Sequence, residues 1–365
     1  MSIGVAQIWY GCEISGWIRM LRRNRFAVDV SLWPVALLIT LFALLNSSLK
    51  LTQGVFLGRR IKRVSLQDDP VFVIGHWRSG TTFMHNLLSC DRQFTWPTAN
   101  QCFSPNHFAL TSVANDSFLS WILPRKRIVD DMPLLSGGPQ EDEFALVNMG
   151  LPSPYSVIAF PDGWDGIPAS LDLEGLASAE LEKWKTTFVH FLKQLTYVRP
   201  GRLLLKSPTH SCRIPVLMEM FPRARFIYLV RSPYSVIPST INMWTRLFEA
   251  QGLQRARGDI IRRNVFAGYR HLINRVEETR SQVPAGQFSE VRFEDLIANP
   301  IGVAGDIYKE LDLGRPEALK GVFEAHLAGI AGYSQRSWPL ASDLEAEIDE
   351  RCADMISRYG YGRGI

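Results

Sequence analysis

Arg78, Ser79, Gly80, Thr81 and Thr82 form a run of one fixed guanidinium, three hydroxyls and a glycine. Such donors suit an anion, and the glycine lets backbone approach it closely. Val71 to Ile74 is a short apolar run, and from Thr81 to Leu88 apolar residues return at helical spacing, which predicts strand, tight turn, helix. The first N–H groups of a helix lack intrahelical partners and, with the helix dipole, receive phosphate or sulfate. A triphosphate loop would read G-x-x-x-x-G-K-[ST], with its Lys on the outer phosphates and its hydroxyl on magnesium. That lysine is missing, which argues against metal-dependent triphosphate chemistry. Taken alone, the segment also fits a plain glycine turn with surface hydroxyls.

Two further stretches carry charge at strand ends. In "LLLKSPTH", Lys206 closes an apolar run, Pro208 sets a turn and His210 opens the next helix. A lysine there can reach a bridging oxygen of a phosphoester, or can simply be a surface residue. In "RFIYLVRSPYSVIPSTI", Arg231 leaves a second run and Ser239 follows eight residues on, inside a helix. The permanently charged fork of arginine suits a second phosphate.

The elements that must position these groups alternate. An amphipathic helix around 176–198 precedes the strand of Lys206, a helix near 211–220 follows it, and "ARFIYLV" feeds a helix through "YSVIPSTINMW". The fold class expected is α/β, a P-loop-like three-layer α/β/α arrangement with a central, mainly parallel sheet and right-handed crossovers, plus an N-terminal apolar helix. Ligands of such sheets gather beyond the strand C-termini, where all three motifs sit. Residues 91–170 are rich in Pro, Gly, Asn and aromatics and read as excursions around a site, where an acceptor would lie.

The triple pattern resembles the sulfotransferases that use 3′-phosphoadenosine 5′-phosphosulfate (PAPS), in particular the bacterial-type branch whose loop reads R-[ST]-G-T-T. "VRFEDLIANP" at 291–300 is similar to that family's Y-E-D-L-x-x-x-P stretch, and "GPQEDEFAL" also matches; the likeness spans residues 70 to about 360. It implies that Arg78, Ser79, Gly80, Thr81 and Thr82 hold the 5′-phosphosulfate, and that Arg231 and Ser239 hold the 3′-phosphate. The implied reaction is in-line displacement at sulfur by an acceptor hydroxyl, without a metal, with adenosine 3′,5′-bisphosphate leaving. Positioning and charge stabilisation of the leaving oxygen carry such catalysis, a role given to Lys206.

A base must take the hydroxyl proton, and three candidates compete. The branch that sulfates protein tyrosines uses a Glu soon after the loop helix, but "FTWPTANQCF" contains no carboxylate. Cytosolic sulfotransferases use a His two residues after a strand-end Lys, whereas His210 stands four after Lys206 with Pro208 between. Glu141, Asp142 and Glu143 begin a predicted helix, where acids also merely complement the dipole. A Glu of this group, Glu141 or Glu143, is the first choice, His210 the second, and His107 the third as an acceptor-side residue.

Length and composition frame the rest. The 365 residues have a formal net charge of +4 with basic residues spread out, so no nucleic-acid footprint is visible. The five cysteines, Cys12, Cys90, Cys102, Cys212 and Cys352, are scattered without metal spacing, which favours a reducing compartment and no metal site. "VSLWPVALLITLFALLNSSL" is uncharged and long enough to cross a bilayer. Pro34, Ser31, Thr40, Asn46, Ser47 and Ser48 weaken that reading, and basic residues flank both ends, from Arg19 to Arg25 and from Lys50 to Arg63. A segment on an anionic membrane surface fits best, a true span or a buried core helix being the alternatives.

These readings divide the chain into a membrane-associating segment, 1–66, and a transferase domain, 67–365. Aromatics at Trp77, Trp96, Phe103, Trp121, Tyr155, Phe160 and Trp164 are core, or walls for a lipid-like or otherwise apolar alcohol or phenol acceptor. The expected place is the cytoplasmic face of a membrane, with a single-pass protein as the alternative. "NSS" at 46–48 and "NDS" at 115–117 match the glycosylation pattern. A nucleotide kinase or triphosphatase, and a non-catalytic nucleotide-binding membrane scaffold, are the other functional classes open to this sequence.

Overall fold

Five short apolar segments form the centre of the molecule because each can bury both of its faces. The computed structural model describes residues 7–111, 137–164, 170–256, 258–330 and 340–362. Strands β1 (Val71–Gly75), β2 (Phe94–Thr95), β3 (Arg202–Lys206), β4 (Arg225–Val230) and β5 (Phe288–Arg292) pair in the order β2-β3-β1-β4-β5, every pair parallel. Alternation in β1 sends Phe72 and Ile74 to one core, and Val71 and Val73 to the other. Tyr228 and Leu229 of β4 divide in the same way. Helices therefore cover both sides, giving the three layers expected of a parallel sheet.

From β1 the sheet grows through β3 and β2 on one side and through β4 and β5 on the other. The turn after β1 thus lies at the switch point, where a crevice opens beyond the strand ends.

The helices that matter to the site are, in chain order, α1 (Ile14–Arg23), α2 (Trp33–Lys62), α3 (Thr81–Leu88), α4 (Ala99–Phe103), α5 (Glu143–Asn148), α6 (Ser178–Val198), α7 (Ile214–Met220), α8 (Pro233–Gln251) and α9 (Gly258–Thr279). Glu141 precedes α5 and Asp142 is its N-cap, so of the three acids only Glu143 lies inside that helix.

The N-terminal layer is fastened to the body. Trp9, Trp17, Ile39 and Ala43 belong to the same core as Phe72 and Tyr228. Of the polar residues that made the apolar segment a poor span, Thr40, Asn46 and Ser47 point inward, while Ser31 and Ser48 are exposed. Thr40 Oγ1 accepts from Trp17 Nε1 at 2.9 Å, Ser47 Oγ accepts from the Ile14 N–H at 2.9 Å, and Asn46 Nδ2 donates to the carbonyls of Tyr10 and Cys12. Asn46 is 5% exposed and held on both sides, so its glycosylation motif is no acceptor; the second motif, 115–117, lies outside the described residues. All five cysteines are free thiols, four of them buried.

Candidate functional site

The turn after β1 is built under strain. Arg78 holds φ 68° and Gly80 φ 100°, a region that costs a non-glycine residue of order 1–3 kcal/mol. A Cβ on Gly80 would stand 2.2 Å from Cδ2 of Phe293, so only glycine fits between the loop and the helix after β5. Gly80 is also the N-cap of α3 and offers no capping side chain.

Arg78 and Arg231 are locked to each other's neighbourhood. Arg78 Nε donates to Ser239 Oγ at 2.9 Å, and Arg231 Nη1 donates to the Arg78 carbonyl at 3.0 Å while its guanidinium lies 4.4 Å over the ring of Phe293. Residues separated by more than 150 positions thus meet in one basic wall. Ser79 Oγ and Ser232 Oγ are buried and have no hydrogen-bond partner among the described residues, a condition that costs about 1–3 kcal/mol unless a ligand supplies one.

At the end of β3, Lys206 is 2% exposed. Its Nζ lies 3.3 Å from Thr82 Oγ1 and 2.6 Å from Glu141 Oε1. The other oxygen of Glu141 accepts a short hydrogen bond from Tyr155 Oη, which itself accepts from Trp77 Nε1 at 3.0 Å. A chain of polar contacts therefore runs Trp77, Tyr155, Glu141, Lys206, Thr82. Burial and then the adjacent Glu141 carboxylate push the Tyr155 phenol well above its usual range, which keeps its proton on the oxygen as a donor.

The other proposed bases stand elsewhere. Glu143 is fully buried, takes 2.6 and 3.2 Å hydrogen bonds from Arg213 and another at 2.8 Å from Thr209. Burial opposes its charge, but the Arg213 guanidinium outweighs burial and holds its pKa below the usual value. His210 is fully buried between the rings of Phe72 and Phe188, with Nε2 2.7 Å from Asp142 Oδ2. His107 faces α2, its Nε2 3.1 Å from Asn46 Oδ1 and its Nδ1 2.9 Å from Thr111 Oγ1. Geometry brings Glu141 to Lys206 and leaves Glu143, His210 and His107 with structural partners.

The sequence reading did not single out Arg213 or Thr209, and took Tyr155 only as an aromatic wall. Three acids in a row entering a buried helix were a signal that nearby cations must answer them. Of the proposed wall residues, Trp77, Tyr155 and Trp164 cluster around Trp244, with ring centroids 4.9 to 6.4 Å from it. Trp121 lies outside the described residues.

An anion loop without the nucleotidase lysine, facing a strand-end lysine paired with a carboxylate, can position and neutralise a transferring oxyanion group. Residues 70–317 match the model of the sulfotransferase family. The chain belongs to that family. It is a sulfotransferase, an enzyme that moves a sulfuryl group to an acceptor hydroxyl, and the family in general draws that group from PAPS.

This sulfotransferase is 42% identical, over 98% of its own length and 92% of theirs, to the omega-hydroxy-beta-dihydromenaquinone-9 sulfotransferases Stf3 of Mycobacterium bovis and Mycobacterium tuberculosis. Among solved structures it resembles the sulfotransferase STF9 of Mycobacterium avium, at TM-score 0.63 and 19% identity over 95% of this chain and 96% of that one. It also resembles STF1 of Mycobacterium tuberculosis H37Rv, at TM-score 0.61 and 16% identity over 94% of each chain. At that identity the structural likeness establishes the fold, in agreement with the α/β architecture read from the sequence.

Proposed function

We propose that this sulfotransferase uses PAPS to sulfate the hydroxyl of a lipid-like alcohol at the inner face of a membrane, with residues 1–66 as the membrane-associating layer and 67–365 as the transferase body. The observation that carries the reading is the Lys206–Glu141 pair set against Thr82 of the anion loop. The naming of the 42% identical relatives for a hydroxylated menaquinone supports an apolar acceptor. The free cysteines support a reducing compartment.

The residues fit the donor. Two buried serine hydroxyls without partners, Ser79 and Ser232, flank a wall made by Arg78 and Arg231, which suits an anion with several oxygens. Ser79, Gly80, Thr81, Thr82 and Arg78 would hold the 5′ end, and Arg231 with Ser239 the 3′-phosphate. When bound, PAPS supplies an activated sulfuryl group on a phosphate leaving group.

The protein's part is electrostatic and positional. Lys206, almost wholly buried, provides fixed positive charge beside the loop. Glu141 is the carboxylate placed to take the acceptor proton, and Tyr155, hydrogen-bonded to it, fixes its orientation. Glu143 and His210 are given no such role because Glu143 is held by Arg213 and Thr209, and His210 is fully buried between Phe72 and Phe188 with Nε2 on Asp142.

Calorimetric titration with adenosine 3′,5′-bisphosphate, beside ATP with magnesium, tests the donor, and labelled PAPS with isoprenoid alcohols, sugars and small phenols tests the acceptor. Tight bisphosphate binding lost in Arg231→Ala, with label entering the isoprenoid alcohols, is the expected outcome. Label in sugars alone would sink the lipid reading, and preference for magnesium-ATP would sink the donor.

A further inference from the structure

The 30-residue α2 is two-sided. Toward the body it buries Ala36, Ile39, Ala43, Asn46, Gln53 and Ile61, positions three to eight apart that share one face. On the opposite face Leu37, Leu41, Leu44, Leu45, Val55 and Phe56 are 51 to 80% exposed. Isolated exposed apolar residues are ordinary, but a stripe of them along one helix face, here interrupted by exposed Ser48 and Thr52, marks a surface that meets something.

The helix is long and apolar enough to cross a bilayer by length and composition, yet its buried face is tied down along its length. Besides the Thr40, Asn46 and Ser47 bonds, Gln53 Nε2 donates to Gln194 Oε1 at 2.7 Å and to the Asn106 carbonyl, and Gln53 Oε1 accepts from the Leu110 N–H. A span would have to strip all of these groups and carry them into hydrocarbon, where unsatisfied polar groups are costly.

Charge decides what the exposed stripe meets. Between Ile14 and Leu66 there are nine Arg and Lys and one acid, Asp29. Arg22, Arg23 and Arg25 before α2, and Arg59, Arg60 and Lys62 at its end, are all exposed. An apolar stripe between two basic fringes is complementary to an anionic bilayer surface, with side chains in the acyl boundary and guanidinium groups among the headgroups.

We infer that α2 docks lengthwise on an anionic membrane, embedded along its Leu37–Phe56 stripe while still packed on the body. This rests on the membrane reading above and makes it geometric. The docked layer also fixes the site's height over the bilayer, because Asn148 Nδ2 of α5 donates to the Ile8 carbonyl and Cys12 Sγ donates to Asn148 Oδ1. The acid-bearing segment with Glu141 is thereby held to the same layer as α2.

The test uses the full chain with vesicles of phosphatidylcholine, with or without phosphatidylglycerol. Sedimentation should show binding to the anionic vesicles, weakened by about tenfold or more in Leu41→Asp/Leu45→Asp and by roughly fivefold per charge removed in Arg59→Gln/Arg60→Gln. Bisphosphate affinity should stay unchanged in both variants, since none of these side chains lies at the site. A fluorophore on Leu37→Cys, Leu45→Cys or Val55→Cys reads depth, Leu45 lying near the middle of the about 27 Å between the outer two along a helix. Equal shallow quenching of all three by spin-labelled lipids is expected. Deep quenching at Leu45 with shallow quenching at Leu37 and Val55 would establish a span and overturn the inference. So would wild-type vesicle binding by the Asp variant, or a dimer in solution that the Asp variant dissociates while neither protein binds vesicles. Binding is read without acceptor, so an inert lipid alcohol would count against the proposed acceptor alone.

Discussion

Lys206 and Glu141, 65 residues apart in sequence, stand 2.6 Å apart at the C-terminal end of β3, and the same ammonium reaches Thr82 of the anion loop at 3.3 Å. Charge stabilisation and proton removal would then depend on neighbouring groups. Glu141→Gln keeps the shape and removes the proposed base, so kcat should fall by about 10²–10⁴ with bisphosphate affinity retained. Lys206→Ala should cost about 10²–10³ in kcat. Because the groups touch, the double variant should lose less than the product of the two. Single-turnover rates with labelled donor check this; near-normal turnover by Glu141→Gln would remove it as the base.

Tyr155 differs from its neighbours in acting through another group. Its hydroxyl joins Trp77 Nε1 to Glu141, so Tyr155→Phe removes a donor to a carboxylate while keeping the ring in its aromatic cluster. A hydrogen bond to a charged group is worth about 1.5–3 kcal/mol, and kcat should drop about tenfold or more. KM for the acceptor and bisphosphate affinity should stay near wild type, while Tm falls by only a few degrees. A parallel loss in all of these would make Tyr155 a structural residue only.

The parallel sheet and the strand-end placement of the motifs were legible because strands buried on both faces read as apolar runs, and because Gly80, Lys206 and Arg231 punctuate them. The roles within 141–143 were not. Three adjacent acids look alike in sequence, yet Glu141 faces Lys206, Asp142 faces His210 and Glu143 faces Arg213. That division depends on how α5 is seated over residues 206–213, which no local periodicity reports. The apolar N-terminal segment likewise concealed its sidedness, since its polar residues weaken a span in composition but only packing shows that Thr40, Asn46 and Ser47 face the protein.

The Glu143–Arg213 pair is fully buried, so removing one partner strands a charge. Arg213→Met should destabilise the fold by about 3–5 kcal/mol. The double variant Glu143→Leu/Arg213→Met should recover most of that loss, because an apolar pair leaves no charge unpaired. Urea unfolding of the three proteins decides the point. Equal destabilisation in the single and double variants would mean that the pair's hydrogen bonds to Thr209 and to the Ser170 and Leu171 carbonyls matter more than its charge.

Acid should unfold this protein through its buried histidines as well as its carboxylates. Burial lowers the pKa of His76 to about 4 and of His107 to about 4; for His85, burial and then the nearby Lys206 ammonium lower it to about 3. Each is neutral when folded and takes a proton near pH 6.5 when unfolded. The unfolded chain therefore binds more protons, and the stability each contributes is present above pH 6.5 and is lost as pH falls toward the folded value. At pH 4.5 the loss is about 2–3 kcal/mol for each of His76 and His107, and comparable for His85. The nitrogens of His85 have no well-formed hydrogen bond, an approach to the Leu204 backbone only opposing the shift. His85→Leu thus gives up little at pH 7 while removing one titration. Urea unfolding from pH 7.5 to 4.5 should show that variant as stable as wild type at the top of the range and more stable at the bottom. Parallel curves for the two proteins would mean that His85 does not take part in acid unfolding.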